Sequence, residues 1–336
     1  MSDARAPVAI IGAGSWGTAL AALLGRDGIP VRLWARRPEM AQSLRLRREN
    51  QQYLPGIALG ENVEPHEDLA AALDGAETVV LAVPSRGMRE TARALRPNLA
   101  PQHCIISAAK GLEHDTGLRM TQVIAAEIPE PWGGCPACLS GPNLAAEVAA
   151  GIATTSVIAC ADTDLGRRAQ QLFMRPTFRV YTNPDVVGVE LGGALKNVIG
   201  IGAGINDGLG FGDNTKAALV TRGLAEMSRL GIALGGRRET FFGLTGVGDL
   251  VTTSFSRKSR NRHVGEQVGR GRALDAVLGE MTQVAEGVPA SRVALELARE
   301  RDVEVPIIEQ VVAVLFEGKS PRAALMDLLA RDPRRE

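Results

Sequence analysis

Residues 7–28 read PVAIIGAGSWGTALAALLGRDG, and this stretch decides the fold class. A run of strand-forming residues leads into a G-x-G-x-x-G at 12–17, and a segment with helical periodicity follows at once. In such a motif the first glycine permits a tight turn, the second lets the backbone approach a pyrophosphate, and the third allows close packing of helix on strand. The order of strand, motif and helix predicts a dinucleotide-binding unit. The alternative is a glycine-rich turn without a ligand.

Outward from this motif, short β-rich runs alternate with helical patterns through the first half of the chain. Strands are predicted at residues 7–12, 30–35, 77–84, 103–110, 136–141, 153–160 and 177–182. Alternating strands and helices build parallel β-α-β units, so we expect a doubly wound, mostly parallel sheet of Rossmann type. From residue 185 onward the patterns are helical with glycine-rich joints. The prediction is an α/β protein with a dinucleotide-binding domain at 1–189 and an all-helical, substrate-binding domain at 190–336.

Composition narrows the class of protein further. The chain has 336 residues, of which 45% are hydrophobic and 23% charged, as is typical of a folded globular protein. The chain has 38 basic residues (Lys and Arg) and 38 acidic residues (Asp and Glu), so no overall positive field would attract nucleic acid or anionic lipid. Residues 1–6 lack the pattern of a signal peptide. We also expect that no apolar stretch is long enough to span a bilayer, which takes about 18 residues. We expect a cytoplasmic protein that binds no nucleic acid and does not insert into membranes.

The four cysteines and four histidines show no disulfide framework and no metal-ligand spacing. Cys104 and Cys160 lie in apolar, strand-like runs and are expected in the core. Cys135 and Cys138 form a C-x-x-C, but no second pair stands at zinc spacing and a strand follows them instead of a helix. A redox or metal role for this pair is the less favoured alternative, and no metal is expected.

The end of the second predicted strand bears on the choice of cofactor. An acidic residue at this place binds the ribose 2′-hydroxyl of NAD, but this chain has Trp34-Ala35-Arg36-Arg37. Guanidinium groups present planar sets of donors that match a phosphate, so Arg36 and Arg37 predict that NADPH is preferred over NADH. The alternative is that both arginines are the solvated start of the next helix, which leaves the choice between NADP and NAD open.

Residues 185–209, DVVGVELGGALKNVIGIGAGINDGL, hold one cation, Lys196, in their most apolar part. One hypothesis is a lysine of lowered pKa that acts as general acid and base toward a carbonyl or carbinol. The other is a lysine at the rim of a core helix, with its ammonium group reaching water. We favour the first, because hydride transfer needs a proton partner. Glu190 and Asn197 lie two turns apart on one face of the same predicted helix.

A second concentration of polar groups follows in the helical half. Residues 256–263, SRKSRNRH, bring four cations, two hydroxyls and an amide together. In a chain without net charge this predicts a local anion site, with a solvated basic turn as the alternative. Asp249, in the segment GLTGVGDL at 243–250, is a candidate to orient Lys196 or a substrate hydroxyl, or else a helix cap.

Together these motifs resemble one enzyme family. The chain is similar to the bacterial NAD(P)-dependent sn-glycerol-3-phosphate dehydrogenases in the segments GAGSWGTALA, AAKGLE, LSGPNLAAEVAAGIATT, VELGGALKNVIGIGAGINDGLGFGDNTKAAL, GLTGVGDLVTT, SRKSRNRHVGE and VAEGVPA. The resemblance spans almost the whole chain, and the order LGGALKN, GDL, SRN is specific to that family. It implies reversible reduction of dihydroxyacetone phosphate to sn-glycerol 3-phosphate for phospholipid synthesis, with NADP or NAD as cofactor.

The resemblance also implies roles for individual residues. Lys196 matches the family's proton donor and acceptor, and Asp249 and Lys110 match further catalytic positions. Substrate contacts are implied for Lys110, Gly141, Asn143, Lys196, Asp249, Ser259, Arg260 and Asn261. Cofactor contacts are implied for Gly12, Gly14, Ser15, Trp16, Gly17, Arg36, Arg37, Lys110, Ala145, Arg260, Val284 and Glu286. Asn143 departs from the family, in which serine or threonine is more frequent at that position.

Two other functions stay open at this point. Dehydrogenases of β-hydroxy acids or ketopantoate combine a similar nucleotide domain with a helical second half, but they need a carboxylate site instead of a phosphate site. A non-catalytic sensor that binds dinucleotide to report its redox state would have no use for a buried lysine beside a basic pocket. For any of these functions we expect a homodimer formed through exposed apolar helix faces.

Overall fold

The computed structural model describes residues 6–100, 103–128 and 136–331. The chain divides into two compact units, a first of Met1–Lys110 with Leu118–Val186 and a second of Gly111–Gly117 with Val187–Glu336. The predicted boundary after residue 189 falls a few residues beyond this division, and no pattern in the sequence indicated that Gly111–Gly117 belongs to the second unit. Cys135 of the C-x-x-C and residues 1–5 lie outside the described residues.

The first unit alternates strands and helices. Its strands are β1 (Val8–Ile11), β2 (Val31–Trp34), β3 (Glu49–Asn50), β4 (Leu54–Ala58), β5 (Val63–His66), β6 (Thr78–Leu81), β7 (Cys104–Ser107), β8 (Ala137–Ser140), β9 (Thr154–Ala159) and β10 (Phe178–Asn183). Its helices are α1 (Ser15–Arg26), α2 (Pro38–Arg47), α3 (Leu69–Leu73), α4 (Met88–Leu95), α5 (Met120–Glu127), α6 (Ala145–Ala149) and α7 (Thr163–Phe173). All seven predicted strands are present, whereas β3, β4 and β5 were not predicted.

Eight strands form one sheet in the order β10-β9-β8-β7-β6-β1-β2-β5, and β3 pairs with β4 in a separate hairpin. Neighbouring strands of the sheet run parallel except β8 and β9, which are antiparallel. The predicted α/β class with a mostly parallel sheet is therefore confirmed. β1 has β2 on one side and β6 on the other, so its carboxyl end lies at the switch point where open α/β sheets bind ligands.

Apolar side chains cover both faces of this sheet. One core cluster includes Ile10 and Leu24, and another includes Ile11 and Met88. Ile10 and Ile11 are neighbours along β1, and successive side chains of a strand point to opposite faces. A strand that is buried on both sides therefore reads as an unbroken apolar run, which is the pattern that predicted β1.

The described cysteines belong to this core. Cys138 and Cys160 are buried, and Cys104 packs against the cluster that includes Ile10. Burial raises the pKa of the Cys104 thiol to about 11, so this thiol is protonated and unreactive at neutral pH. The core positions predicted for Cys104 and Cys160 are confirmed.

From Val186 onward the described residues form helices joined by turns, as predicted for the second half of the chain, whereas Gly111–Gly117 contains no helix. The helices of the second unit are α8 (Val186–Gly208), α9 (Asp213–Ala233), α10 (Arg238–Phe241), α11 (Asp249–Phe255), α12 (Arg260–Gly269), α13 (Leu274–Glu280), α14 (Gly287–Glu300), α15 (Pro306–Phe316) and α16 (Pro321–Leu329). One turn of π-helix, Leu244–Gly248, leads into α11.

Helix α8 is the central element of the second unit. It has 23 residues with a mean hydropathy of 1.3 over its most apolar window, and 89% of that window is buried inside the protein. The expectation that no apolar stretch reaches the length of a membrane span was wrong, since α8 has both the length and the composition of one. Because the surrounding helices already cover this apolar surface, α8 is a core helix of the unit.

Glycines bring α12 against the backbone of α8. A Cβ at Gly204 would overlap the carbonyl oxygen of Arg262, and a Cβ at Gly265 would overlap the carbonyl oxygen of Ile201. No side chain fits between the two helices at these places. The first turn of α12 is thereby held beside the middle of α8, which carries Lys196.

Candidate active site

The loop between β1 and α1 has the geometry that its glycines predict. Gly12 has a φ of +117°, and a Cβ there would lie 2.8 Å from the carbonyl oxygen of Ala82. A Cβ at Gly17 would overlap the carbonyl oxygen of Gly12, whereas one at Gly14 would meet nothing within 4 Å. Packing therefore requires the first and third glycines, and the second leaves the backbone open in front of α1.

The first turn of α1 completes this loop. Ser15 and Trp16 are its first two residues, and backbone N–H groups at a helix start have no partner within the helix. Trp16 and Ala145, the first residue of α6, pack against the same small apolar cluster, and the buried Nε1 of Trp16 has no acceptor among the described residues. The open space at Gly14 and the amides of this first turn fit the pyrophosphate of a dinucleotide.

The two predicted 2′-phosphate ligands differ in their surroundings. Arg36 and Arg37 follow β2, and both are exposed. Arg37 Nη2 donates to Gln52 Oε1 at 2.8 Å and to the hydroxyl of Tyr53 at 3.1 Å. The Tyr53 ring centre lies 6.0 Å from the guanidinium carbon. Arg37 is the N-cap of α2, so the arginines do lie at the start of the next helix, but Arg37 is also held by two side-chain hydrogen bonds.

Three further predicted residues meet at the carboxyl ends of β7 and β8. Lys110 Nζ donates to the carbonyl oxygen of Gly141 at 2.7 Å, and Gly141 has a φ of +142°. The Asn143 amide is bonded to β9 at both ends, because it donates to Thr155 O at 2.9 Å and accepts from Ser156 Oγ at 3.0 Å. These bonds tie Asn143 to the sheet, and its contact with substrate stays a prediction.

Lys196 lies in the middle of α8 and is only 7% exposed. Its Nζ donates to Asp249 Oδ1 at 2.9 Å and to Thr253 Oγ1 at 2.6 Å. Asp249 and Thr253 are one turn apart on α11, so both side chains face the lysine. The ammonium group is therefore buried and hydrogen-bonded within the second unit, instead of reaching water as in the alternative reading of Lys196.

Glycines also explain how Asp249 reaches this position. A Cβ at Gly192 of α8 would lie 2.7 Å from the carbonyl oxygen of Thr245 in the π-helical turn. A Cβ at Gly200 would lie 2.6 Å from the methyl group of Thr253. The turn and α11 therefore rest directly on α8, on either side of Lys196. Single π-helical turns are rare and frequently occur at functional sites, and here the turn presents a carboxylate at the start of α11.

A chain of amide contacts links α8 to α12 and α14. Asn261 Nδ2 donates to Asn197 Oδ1 at 2.8 Å, and Asn261 Oδ1 accepts from the backbone N–H of Gly287 at 2.9 Å. Arg260 Nη1 donates to the carbonyl oxygen of Val284 at 2.8 Å. The second unit thus places the lysine helix, the start of α12 and the segment that leads into α14 side by side.

The predicted cluster of four cations divides at the start of α12. Ser259 is the N-cap of this helix, and its Oγ accepts from the N–H of Arg262 at 3.2 Å. Arg262 turns inward and pairs with Asp207 at 2.6 Å and with Glu266 at 3.2 Å. The remaining three cations are exposed, namely Arg257, Lys258 and Arg260. Exposed cations beside a helix N-terminus can attract an anion such as phosphate.

The predicted site residues form two sets, one in each unit. The first unit holds Gly12, Gly14, Ser15, Trp16, Gly17, Arg36, Arg37, Lys110, Gly141, Asn143 and Ala145, and the second holds Lys196, Asp249, Ser259, Arg260, Asn261, Val284 and Glu286, the N-cap of α14. Sequence reasoning missed Thr253, although its spacing of four from Asp249 was a usable signal. Among the residues that the structure describes, no group of three or more His, Cys, Asp or Glu could hold a metal ion.

A Rossmann-type unit with an open glycine loop, joined to a helical unit that buries a paired lysine, defines an NAD(P)-dependent dehydrogenase. Comparison of the chain with models of known protein families identifies one family over both units. Residues 7–166 match the model of the N-terminus of NAD-dependent glycerol-3-phosphate dehydrogenase, and residues 185–326 match the model of its C-terminus. The chain belongs to the NAD-dependent glycerol-3-phosphate dehydrogenase family.

Similar proteins cover nearly the whole chain. A glycerol-3-phosphate dehydrogenase [NAD(P)+] of Moorella thermoacetica is 50% identical over 324 residues, which are 96% of each chain. The crystal structure of glycerol-3-phosphate dehydrogenase from Coxiella burnetii superposes with a TM-score of 0.93 at 37% identity, covering 97% of this chain and 99% of that one. A ketopantoate reductase from Ralstonia eutropha shares the fold alone, with a TM-score of 0.61 at 17% identity over 96% of this chain and 99% of that one.

Proposed function

We propose that the protein catalyses the reversible reduction of dihydroxyacetone phosphate to sn-glycerol 3-phosphate, with NADP or NAD, and so supplies phospholipid synthesis. The observation that carries the proposal is the ammonium group of Lys196, which is buried and held by Asp249 and Thr253. The relative from Moorella thermoacetica, at 50% identity, carries the name of this activity. A β-hydroxy-acid or ketopantoate dehydrogenase is less well supported, because its likeness extends to the fold alone.

Lys196 is the proton donor and acceptor in this proposal. When bound, the dinucleotide supplies the hydride that adds to C2 of the ketone. Lys196 gives a proton to the oxygen on C2 as its negative charge develops, and it takes the proton back in the reverse reaction. Asp249 and Thr253 fix the ammonium group, so that no reorganisation of the site is needed at the moment of transfer.

The substrate phosphate is assigned to the start of α12. Ser259, Arg260 and Asn261 surround this helix N-terminus, where the helix dipole and the exposed Arg260 favour an anion. Binding energy from the phosphate is remote from the reacting carbon and can hold that carbon in place. Lys110, Gly141 and Asn143 are proposed as the substrate contacts of the first unit.

NADPH is the proposed preferred cofactor. Arg37 is held in place by Gln52 and Tyr53, and Arg36 is exposed beside it, so two guanidinium groups are available to a 2′-phosphate. The glycine loop with Ser15 and Trp16 is proposed to bind the pyrophosphate. Further cofactor contacts are proposed for Lys110, Ala145, Arg260, Val284 and Glu286.

The proposed assembly is a cytoplasmic homodimer that binds neither nucleic acid nor membrane. Support comes from four large apolar side chains of the second unit that are between 44% and 56% exposed, namely Ile232, Phe242, Val251 and Phe255. Apolar surface of this kind is commonly covered by a second subunit. Light scattering on the purified chain gives the mass, and a monomer at micromolar concentration would contradict the dimer.

The decisive experiment follows the absorbance of reduced nicotinamide as dihydroxyacetone phosphate is added, with NADPH and NADH compared. The wild type is expected to oxidise NADPH faster than NADH. Lys196→Ala is expected to lower kcat by about a thousandfold, the scale of a lost general acid, while NADPH still binds. Lys216→Ala is the matched control, since Lys216 is also buried and paired in the second unit, with its Nζ 2.8 Å from Asp207.

Three other outcomes of this assay would contradict parts of the proposal. Near-normal turnover of Lys196→Ala would show that another group carries the proton. Tight NADPH binding without turnover of dihydroxyacetone phosphate would reject the phosphate substrate, and activity with hydroxy acids or ketopantoate would then identify the other kind of dehydrogenase. Binding with no turnover of any ketone would favour the redox sensor.

A further inference from the structure

One buried polar side chain of the first unit touches the glycine loop from behind. Asn50, in the short strand β3, is 1% exposed. Its Nδ2 donates to the carbonyl oxygen of Ala13 at 3.0 Å and to Thr18 Oγ1 at 2.8 Å, and its Oδ1 accepts from the N–H of Tyr53 at 3.1 Å. Both donors and the acceptor of this amide are used, so its orientation is fixed.

The bond to Ala13 determines which way the loop presents its backbone. The carbonyl of Ala13 and the N–H of Gly14 belong to one peptide group, and in a trans peptide these two groups point in opposite directions. Because Asn50 draws the carbonyl inward, the N–H of Gly14 is turned away from Asn50. Gly14 is the glycine in front of which the space is open. Asn50 thereby aims one amide donor at the place proposed for the pyrophosphate.

The same hairpin of β3 and β4 also holds Arg37. Residues 51–53 connect β3 to β4, and within them Gln52 and Tyr53 accept hydrogen bonds from the Arg37 guanidinium at 2.8 and 3.1 Å. A guanidinium group that is already oriented loses less side-chain entropy when it binds a phosphate. The hairpin therefore contacts both proposed anion sites of the dinucleotide, the pyrophosphate loop through Asn50 and the 2′-phosphate site through Gln52.

We infer that two residues of this hairpin position the dinucleotide, Asn50 as a positioning residue for the pyrophosphate loop and Gln52 as a positioning residue for Arg37. The inference rests on the proposed function in one respect, that the ligand of the glycine loop is a dinucleotide. It assigns general affinity for dinucleotides to Asn50 and selectivity for NADPH over NADH to Gln52.

Calorimetric titration separates the two roles when three ligands are used: NADPH, NADH and adenosine 2′-monophosphate, which has the 2′-phosphate but no pyrophosphate. For Asn50→Asp we expect a Kd about tenfold higher for NADPH and NADH alike, and about unchanged for the monophosphate, because one backbone donor is misdirected. Asn50→Ser keeps a short donor and is expected to recover part of the loss.

Gln52→Ala is expected to act on the other end of the cofactor. Its Kd for NADPH and for the monophosphate should rise about fivefold, and its Kd for NADH should stay within about twofold of the wild type. Gln51→Ala is the matched control, because Gln51 lies in the same turn but its Oε1 accepts from Arg47 at 2.7 Å, whereas Arg37 donates to Gln52 and Tyr53. This control should bind all three ligands as the wild type does.

Two results would overturn the inference. Unchanged binding of both dinucleotides by a folded Asn50→Asp would remove Asn50 from the site, and an equal loss of NADPH and NADH affinity in Gln52→Ala would show a general structural effect. Thermal unfolding of each variant tests whether the protein used for titration is folded. Because the Gln52 side chain is exposed, its replacement by alanine is not expected to disturb the core. Wild-type protein that binds NADPH but reduces no dihydroxyacetone phosphate would count against the proposed reaction alone.

Discussion

Glycine serves different purposes in the two units of this protein. In the first unit Gly12 adopts a positive φ and Gly14 leaves open space in front of a helix. In the second unit Gly204 and Gly265 lie inside helices, where a methyl group would overlap the backbone of the neighbouring helix. The first arrangement makes room for a ligand, and the second makes room for another helix. The atoms that a Cβ would contact therefore distinguish a glycine that leaves space for a ligand from a glycine that lets two helices pack closely.

Replacing one glycine of each kind by alanine is expected to give the largest effect, a change in the free energy of unfolding. Gly265→Ala should lower the free energy of unfolding by about 3 kcal/mol or more, because the backbone of α8 or α12 has to shift. Gly14→Ala should change it by less than about 1 kcal/mol and instead weaken NADPH binding, because its methyl group points into the open space. Denaturant unfolding and calorimetric titration of both variants are the measurements. A stable Gly265→Ala with weakened NADPH binding would reverse the comparison.

Arg260→Gln tests whether the second unit supplies the site for the substrate phosphate. Loss of a charged hydrogen bond to phosphate should raise the KM for dihydroxyacetone phosphate about a hundredfold, and the Kd for NADPH should rise much less, by about tenfold or less, because Arg260 is only one of several proposed cofactor contacts. Steady-state kinetics and titration measure the two quantities. Arg257→Gln, an exposed neighbour in the same basic segment, should leave both near their wild-type values. An unchanged KM in Arg260→Gln would place the phosphate elsewhere.

The smallest expected effect concerns a buried acid of the second unit. Glu226 is 3% exposed, and its carboxylate accepts from the N–H groups of Ile307 at 2.8 Å and Ile308 at 3.3 Å at the start of α15. Burial raises the pKa of Glu226 to about 7, and the two N–H groups oppose this rise only in part. The unfolded chain therefore ionises at lower pH than the folded one, and stability from this group is lost as the pH rises toward 7.

A comparison with Glu226→Gln isolates this contribution. The stability of the wild type should fall by about 2 kcal/mol relative to Glu226→Gln between pH 5 and pH 7, since glutamine does not ionise in this range, whatever the constant cost of replacing one acceptor oxygen by an NH2 group. Urea unfolding of both proteins across this range measures the difference. Parallel stability curves would show that Glu226 has an ordinary pKa in the folded protein.

Much of the first unit could be predicted from sequence because its signals are local. An unbroken apolar run between turn residues predicts a buried strand, and the glycine loop follows β1 without a gap. β5 was missed because Val63–His66 includes Pro65 and polar residues, a composition that only an edge strand tolerates. The reversal of β9 and β10 against the rest of the sheet leaves no mark in sequence, because strand direction depends on how the connections cross the sheet.

Two candidate site residues of the second unit could be singled out because each contradicts its surroundings. Lys196 stood out as a cation within an apolar helix, and Asp249 as a carboxylate among glycines. Thr253 and Asn50 are ordinary polar residues in sequence, and they become buried partners only through contacts with residues 57 and 37 positions away. Tertiary packing creates such contacts, so the sequence around Asn50 does not indicate them, and the spacing of four between Asp249 and Thr253 is only a partial signal.

The assignment of Gly111–Gly117 to the second unit has a consequence for how the chain acquires its structure. Leu112 is 3% exposed within the helical core, and Gly117 lies against Leu297. The chain therefore passes between the units three times, and a fragment that begins at residue 187 would lack a piece of its own interior. During synthesis this segment leaves the ribosome well before the helices that enclose it. Completion of the second unit must therefore wait for its own C-terminal helices while the strands around the early segment are already able to pair.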